Sequence, residues 1–126
     1  MVRLTVRVDF GDAGSMGPGK ARLLELVEKE GSIRRAAMAM EMSYRQAWLL
    51  VQSLDDMFSA PIVETATGGT KGGGARLTEL GQSVLHHYRA IEKKATTAAA
   101  SDLKAMEKLA KGEPTPGLRK LSPRMK

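Results

Sequence analysis

Cysteine, aromatic residues and long apolar runs are absent or scarce in this chain, and each shortage excludes a class of protein. The 126 residues include no cysteine, which rules out disulfide bonds, thiolate metal sites and a cysteine nucleophile. Aromatic residues make up only 4%, so the core must rest on aliphatic residues and the eight methionines. No apolar run approaches the roughly 20 residues of a membrane span, and the N-terminus lacks a secretory signal pattern. We therefore expect a cytoplasmic protein without membrane contact.

The length and charge of the chain favour one domain with a polyanionic partner. A chain of 126 residues is long enough for one domain with a core and too short for two. The net charge of +6 favours binding to nucleic acid, although residues 111–126 alone hold five basic residues against one acidic residue. Residues 112–126 contain three prolines and little apolar sequence, so we expect a disordered basic tail that adds non-specific attraction to phosphates.

Residues 31–58 have the pattern of two short helices around a tight turn. Gly31 can end the preceding helix in the left-handed conformation, and Ser32 can cap the next helix. Glu41 and Met42 are predicted to form the turn, and Ser43 to cap the second helix. The predicted buried faces are Ile33, Ala36, Ala37 and Met40 in the first helix, and Ala47, Val51, Leu54 and Phe58 in the second. This pattern is typical of a DNA-reading helix-turn-helix, and by itself it also fits a helical hairpin in a small α-helical core.

A glycine-rich β-hairpin is predicted after the second helix. Residues 62–66 and 75–78 have the composition of short strands, and the glycine-rich residues 67–74 suit a hairpin tip. The glycine run lacks the residue order of a P-loop and leads into a strand, so it is not predicted to be a phosphate-binding helix N-terminus. Two helices followed by such a hairpin make the outline of a winged helix-turn-helix. Trp48 is expected to pack between the second helix and this wing.

Taken together, these motifs resemble the N-terminal DNA-binding domain of ModE-type molybdate-responsive regulators, which are relatives of the LysR-type winged helices. The residues that carry the resemblance are Gly31-Ser32-Ile33, Ala36-Ala37, Met42-Ser43-Tyr44, Ala47-Trp48, Thr67-Gly68-Gly69, Lys71-Gly72-Gly73-Gly74, Leu77-Thr78, Gly81 and Tyr88. The match covers roughly residues 2–110, most of the chain. It implies a regulator that binds duplex DNA.

The resemblance does not extend to an effector site. ModE-type regulators carry, after this domain, paired small β-barrel domains that bind molybdate. The present sequence ends at Lys126 without a second β-rich region, and nothing in it matches the oxyanion loop of those barrels, which contains Ser, Arg and Asn. We therefore expect no cofactor and no molybdate on this chain. Either the regulator works without molybdate, or another chain supplies the sensing.

The predicted DNA-contacting residues lie on the two helices and the wing. Side chains on the N-terminal face of the second helix can reach base edges and phosphates in a major groove. Arg45 and Gln46 are expected to read bases, and Ser43 and Tyr44 to contact bases or backbone. The two basic wing residues are expected to contact phosphates or a minor groove. The predicted set is Ser32, Arg34, Arg35, Ser43, Tyr44, Arg45, Gln46, Leu49, Gln52, Lys71 and Arg76.

The segments before the helix-turn-helix read as a strand, a turn and a helix. Residues 2–10 alternate between apolar and polar types, which predicts a strand with one buried face. Residues 11–19 are expected to form a flexible turn, and Pro18 suits the first turn of the next helix.

A long helix is predicted from Thr78 to about Lys111. Its apolar stripe changes register near residues 98–99, so a break near 97–101, with Ser101 capping a second helix, is the alternative. A helix of about 33 residues would span about 50 Å, more than a small domain can cover. The stripe is therefore expected to pair with the same helix of a second subunit, giving a homodimer through residues 78–110. The alternative is that the helix folds back over its own domain.

An enzyme is not predicted. His86 and His87 are adjacent in a helix, so their side chains point about 100° apart and cannot share a metal. The carboxylates lie mostly on predicted solvent faces, spaced helically with Lys or Arg.

The sequence thus predicts a mainly α fold with a small β component, a winged helix-turn-helix followed by a long C-terminal dimerisation helix. The expected divisions are residues 1–77 for the N-terminal strand and the DNA-binding domain, 78–111 for dimerisation, and 112–126 for the tail. The predicted function is sequence-specific transcriptional regulation through binding of double-stranded DNA as a dimer. The alternative is a dimeric protein-interaction module that has kept the fold without specific DNA binding.

Overall fold

The structure, a computed structural model, describes residues 2–66 and 74–110. Within these ranges five helices and two antiparallel hairpins confirm the predicted mainly α winged helix-turn-helix. In chain order the elements are β1 (Val8–Asp9), β2 (Ser15–Met16), α1 (Pro18–Glu30), α2 (Ile33–Ala39), α3 (Tyr44–Phe58), β3 (Val63–Ala66), β4 (Gly74–Leu77), α4 (Glu79–Ala98) and α5 (Ala100–Ala110). Residues 5–94 form one compact unit, and residues 2–4 with 95–110 belong to a second. The wing tip with Lys71 and the C-terminal tail lie outside the described residues.

Helix α1 begins and ends where the sequence predicts. Pro18 occupies its first position, where the missing N–H costs no hydrogen bond. Gly31 follows its last residue in the left-handed conformation, with φ 71°, and its N–H donates to the carbonyl oxygen of Val27 at 2.8 Å. The inward face is buried between residues 21 and 27. It consists of Ala21, Leu23, Leu24, Leu26 and Val27.

Helices α1, α2 and α3 pack around one hydrophobic core. Ala36 and Ala37 are fully buried, and their small side chains let α2 approach its neighbours closely. The stripe of α3 is buried at Ala47, Val51 and Leu54, whereas Phe58 at the end of the helix is only half-buried. The aliphatic core that the low aromatic content predicts is therefore present, with Tyr88 as its one buried aromatic residue among the described residues.

The wing is fixed to the end of α1. Strands β3 and β4 pair antiparallel, with Val63 opposite Leu77 on the buried side. The Ala75 N–H donates to the carbonyl oxygen of Gly31 at 2.8 Å, and the Leu77 N–H donates to the Glu28 carboxylate at 3.0 Å. These two bonds hold β4 beside the junction between α1 and α2, and so beside the start of the helix-turn-helix.

Helix α4 starts against the first residues of the wing. The Thr78 hydroxyl accepts a hydrogen bond from the Gly81 N–H at 3.0 Å and donates to the carbonyl oxygen of Pro61 at 2.8 Å. Gly81 itself is buried against Ile62, and a Cβ atom at this position would overlap the Ile62 carbonyl oxygen. Glycine is therefore required here by close backbone approach rather than by a turn.

Substitution of Gly81 by alanine is expected to lower the free energy of unfolding by about 1–3 kcal/mol, because the added methyl group forces the backbones of α4 and residue 62 apart. Chemical denaturation measures this loss. The matched control is Gly19→Ala in α1, where nothing lies within 4 Å of the added carbon. That variant should be neutral or gain up to about 1 kcal/mol. Equal stability of the two variants would contradict the close approach.

The predicted N-terminal strand is wrong in its length. Only Val8 and Asp9 are in a strand, paired with Met16 and Ser15, and the predicted flexible turn contains the 3₁₀ turn Gly11–Ala13 and strand β2. The remaining residues have no partner strand within the described ranges, and alternation alone cannot supply one. The predicted orientation of the apolar side chains is confirmed in part, since Val6 and Val8 pack on the core.

The lysine that follows this hairpin links it to α3. The Lys20 ammonium group donates to the carbonyl oxygen of Ser15 at 2.6 Å and to the Ser53 hydroxyl at 3.3 Å. Burial lowers the pKa of Lys20.

The long helix predicted after the wing is interrupted at Ala99, inside the range where the sequence leaves a break open. Ser101 is the second residue of α5 rather than its cap. None of the residues of α5 is buried.

Part of the apolar stripe assigned to dimerisation packs inside its own compact unit. Leu80 and Val84 pack on the core, and Tyr88 is 2% exposed. Burial, with the nearby Glu92 carboxylate, raises the pKa of the Tyr88 hydroxyl, which donates to the carbonyl oxygen of Val6 at 2.6 Å. The first turns of α4 therefore pack against the winged helix of the same chain, as the alternative interpretation of the sequence expects.

An ion-pair cluster joins α4 to α1. The Arg89 guanidinium donates to the Glu25 carboxylate at 2.7 Å and to Glu92 at 2.6 Å. The bonds to Glu25, followed by those to Glu92, raise the pKa of Arg89.

None of the helices in the described ranges combines the length and apolar composition that crossing a membrane requires.

Candidate nucleic-acid interface

The turn between α2 and α3 is built as the sequence predicts. Glu41 adopts the left-handed conformation with φ 56°, and the Met42 N–H donates to the carbonyl oxygen of Ala37 at 3.0 Å. These contacts form the turn within the four residues, 40–43, that separate α2 from α3. Helix α3 therefore starts directly after the turn, with its first residues at the surface.

Serine caps start both helices. The Ser32 hydroxyl accepts from the Arg35 N–H, and the Ser43 hydroxyl accepts from the Gln46 N–H, each at 3.0 Å. A hydroxyl that accepts a hydrogen bond can still donate its own proton. Both serines can therefore cap a helix and bind a phosphate oxygen at once.

The outer face of α3 carries three of the predicted DNA-contacting residues. Arg45, Leu49 and Gln52 are spaced by four and three residues, so they lie on one side of the helix. That side is opposite the buried Ala47 and Val51. Arg45 and Leu49 are exposed, and Gln52 is half-buried. Gln46 is also exposed, in the first turn.

An arginine of α2 and a tyrosine of α3 contact each other across the turn. The Arg34 guanidinium carbon lies 4.8 Å from the centre of the Tyr44 ring, a distance typical of a cation–π interaction. Both residues are exposed, as is the neighbouring Arg35. The structure thus brings the predicted contacts of α2 next to those at the start of α3.

The wing arginine is paired with an acidic residue that the sequence reasoning missed. Arg76 and Glu64 are opposite one another in the β3–β4 register, and their charged groups are 2.7 Å apart. Their side chains are 76% and 50% exposed, so the pair is a surface one. Counted from the predicted strand ends at residues 66 and 75, the register would have put Thr65 opposite Arg76, one residue away from the actual partner. The other predicted wing contact, Lys71, lies outside the described residues.

Trp48 is more exposed than expected. The sequence reasoning placed it between α3 and the wing, but 43% of its surface is exposed, and it does not belong to the core cluster. Its position in α3, one turn after Tyr44, puts it on a flank of the proposed reading face. Helical spacing alone does not distinguish a partly exposed position at the side of the helix, such as that of Trp48, from a buried one.

A metal-binding cluster is not found among the described residues. No group of three His, Asp or Glu side chains there could hold a metal ion. His86 and His87 are exposed, and their rings meet edge to face with centres 5.3 Å apart. Most of the predicted DNA-contacting residues lie on α2 and α3 or at their caps.

Comparison with known proteins agrees with this geometry. The sequence profile of the lysR family of bacterial regulatory helix-turn-helix proteins matches residues 19–82, which run from α1 to the start of α4. The relatives confirm the resemblance to ModE-type regulators. The chain is 37% identical over 92 residues to a molybdenum transport protein ModE of Azotobacter vinelandii, covering 73% of this chain and 33% of that protein.

Other relatives give the same result. Identity is 40% over 86 residues to the molybdenum-pterin-binding protein MopA of Rhodobacter capsulatus, covering 68% of this chain and 32% of that protein. It is 37% over 71 residues to the DNA-binding transcriptional dual regulator ModE of Escherichia coli K12, covering 56% of this chain and 27% of that protein. The chain spans about a third of the length of these relatives. Because the family profile matches half of its residues, the chain belongs to the lysR family of bacterial regulatory helix-turn-helix proteins.

Proposed function

We propose that the chain is a sequence-specific transcriptional regulator that inserts α3 into the major groove of double-stranded DNA. The observation that carries the proposal is the exposed face of α3. It presents Arg45 and Gln46 in the first turn of a serine-capped helix, directly after a tight helix-turn-helix turn. Arginine reads guanine and glutamine reads adenine through paired hydrogen bonds in that groove. The family and its DNA-binding relatives support the same function.

The remaining predicted contacts have supporting roles in this proposal. Arg34, held over the Tyr44 ring, and Arg35 would bind phosphates beside the groove. Ser32 and Ser43 would donate their hydroxyl protons to phosphate oxygens. Gln52, nearly two turns after Arg45 on the same face, would extend the base contact. The wing residues Lys71 and Arg76 would bind the neighbouring backbone or minor groove.

Selection of binding sites from random duplex DNA tests the proposal directly. A regulator of this kind should enrich one sequence, and the enriched duplex should bind at least about a thousandfold more tightly than unrelated DNA at physiological salt. Binding without enrichment would favour the alternative of an interaction module that has lost sequence specificity.

We further propose that the chain binds DNA as a homodimer through residues 78–110. Support comes separately from the two helices. On α4, Ile91 is exposed beside an open apolar groove of about 240 Å³ that also contains Phe10, Phe58 and Val84. On α5, which has no buried residue, Met106 and Leu109 are exposed. A second copy would cover these side chains and place two recognition helices about 34 Å apart, the spacing of half-sites on one DNA face.

The division into a DNA-binding part, residues 1–77, and a dimerisation part, residues 78–111, is part of this proposal. Residues 79–94 pack in the same compact unit as the winged helix, so α4 would serve both parts.

We also propose that this chain does not itself bind molybdate. Two of its relatives are named for molybdenum transport and for molybdenum-pterin binding. The support is the lack of any sequence resembling an oxyanion loop. Calorimetric titration of the chain with molybdate should give no heat of binding. The affinity of the chain for its operator should also stay unchanged in excess molybdate.

Replacement of Glu64 by glutamine is expected to raise affinity for DNA about two- to fivefold. In the free protein the Glu64 carboxylate forms an ion pair with the Arg76 guanidinium. An exposed ion pair of this kind contributes at most about 1 kcal/mol of interaction free energy. Without it, Arg76 is free for a phosphate, and one repulsive charge is removed. Titration in a gel-shift assay measures the change.

The control for this variant is Glu79→Gln, which removes the same charge from the first residue of α4. It should change affinity much less, because the effect depends on releasing Arg76. Arg76→Ala should in turn lower the slope of log affinity against log salt by about 0.9, as expected for one lost phosphate contact. Equal gains from both glutamine variants would mean that only overall charge matters.

A further inference from the structure

Leu49 is an apolar residue at the centre of the face of α3 that lies opposite its buried stripe. It lies four residues after Arg45 and three before Gln52, and it is opposite the buried stripe of the helix. Its side chain is 49% exposed. An isolated exposed leucine is common on protein surfaces and needs no explanation. This one lies between Arg45 and Gln52, two of the polar side chains proposed to contact bases, which makes its position informative.

A leucine in a major groove can favour only one kind of base edge. Guanine, cytosine and adenine present hydrogen-bond donors or acceptors there, and thymine adds a C5-methyl group. Leucine has no polar atom, so it displaces water from a polar base edge without replacing the lost hydrogen bond, which is unfavourable. Against a thymine methyl group, it buries apolar surface on both sides, which is favourable.

We propose that Leu49 is a specificity-determining residue that selects thymine by contact with its methyl group. The thymine would lie next to the base pairs read by Arg45, because the two side chains are one helical turn apart on the same face. The neighbouring Trp48 lies on the flank of α3, so Leu49 is the more central residue. This inference rests on the proposed insertion of α3 into the major groove.

Replacement of single thymines by uracil in the selected operator tests the inference, because uracil differs only by the missing methyl group. At one position in each half-site, this change should weaken binding of the unmodified protein about fourfold, as expected for one buried methyl group. With Leu49→Ala, the same change should have no effect at that position. Leu49→Met, which keeps an apolar side chain, should restore the sensitivity to uracil. Because Leu49 is exposed, both variants should fold, and circular dichroism during heating checks this.

The possible outcomes separate this inference from the proposed function. If an operator is selected and bound, but its uracil effect is the same with Leu49 and with alanine, Leu49 does not read thymine and the inference is wrong. An operator that shows no uracil effect at any position overturns it equally. Failure to select any operator overturns the proposed function and this inference together. Loss of the uracil effect only in Leu49→Ala, with recovery in Leu49→Met, establishes the contact.

Discussion

Replacement of both Arg45 and Gln46 by alanine is expected to lower affinity for the selected operator by about 30-fold or more. Each side chain can form a paired contact with one base, worth about 1–3 kcal/mol, and alanine removes both contacts without disturbing the Ser43 cap, which uses only backbone N–H groups of α3. Affinity for unrelated duplex DNA should fall much less, because phosphate contacts dominate that binding. Fluorescence titration against both duplexes measures the two affinities.

A control variant with the same composition change separates base reading from loss of charge. Arg22→Ala with Gln82→Ala removes one arginine and one glutamine from exposed positions of α1 and α4. We expect a small loss that is equal on both duplexes. If the α3 variant behaves in the same way, Arg45 and Gln46 contact the backbone rather than base edges.

Introduction of two charges on the apolar side of α5 is expected to produce a monomer. Met106→Glu with Leu109→Glu places two carboxylates where the proposed partner helix would pack, and an apolar interface does not tolerate unpaired buried charge. Linkage of two DNA-binding modules raises overall affinity by about 10²–10⁴, so the monomer should lose about that much on a palindromic operator. Its affinity for a single half-site should stay unchanged.

The matched control makes the same change in net charge on the other side of the helix. Lys104→Gln with Lys108→Gln removes two positive charges from exposed positions that point away from Met106 and Leu109. This variant should sediment as the unmodified chain does. Sedimentation equilibrium at micromolar concentration distinguishes the outcomes. A Met106 and Leu109 variant that remains dimeric, or a normal chain that is monomeric and still binds its operator tightly, would contradict dimerisation through α5.

Features fixed by neighbouring residues could be predicted from the sequence. The caps at Ser32 and Ser43 and the end of α1 at Gly31 depend on contacts within four residues, and the structure has all three. The strands of the wing also lie within one residue of their predicted bounds, because the turn-forming glycines delimit them.

Features that depend on distant partners were predicted less well. The alternation of residues 2–10 correctly indicates that the side chains of Val6 and Val8 point to the core. A longer strand would also need a partner strand to hydrogen-bond with, and β2 supplies only two paired residues. The stripe of α4 was recognised as apolar, whereas its spacing could not tell a second subunit from the core of the same chain. Val6, more than eighty residues away, accepts the hydrogen bond of Tyr88.

The same distinction applies to the candidate interface. Exposure of the first turns of α3 follows from the buried stripe on its other side, so Arg45 and Gln46 are where the sequence places them. Glu64 beside Arg76 is a cross-strand neighbour, and Arg34 over Tyr44 joins two helices. Both contacts modify what the arginines can do, and neither is visible in helical periodicity.

The insertion of α3 into the major groove is tested most directly by crosslinking from a single introduced cysteine. The chain has no cysteine of its own, so Gln52→Cys can carry a photoreactive group at one defined place on α3. Arg22→Cys on the exposed side of α1 is the control. We predict that the α3 probe crosslinks to bases inside each half-site, at atoms of the major-groove edge, and that the α1 probe does not. Crosslinks from α1 and none from α3, on an operator that is bound specifically, would contradict the account.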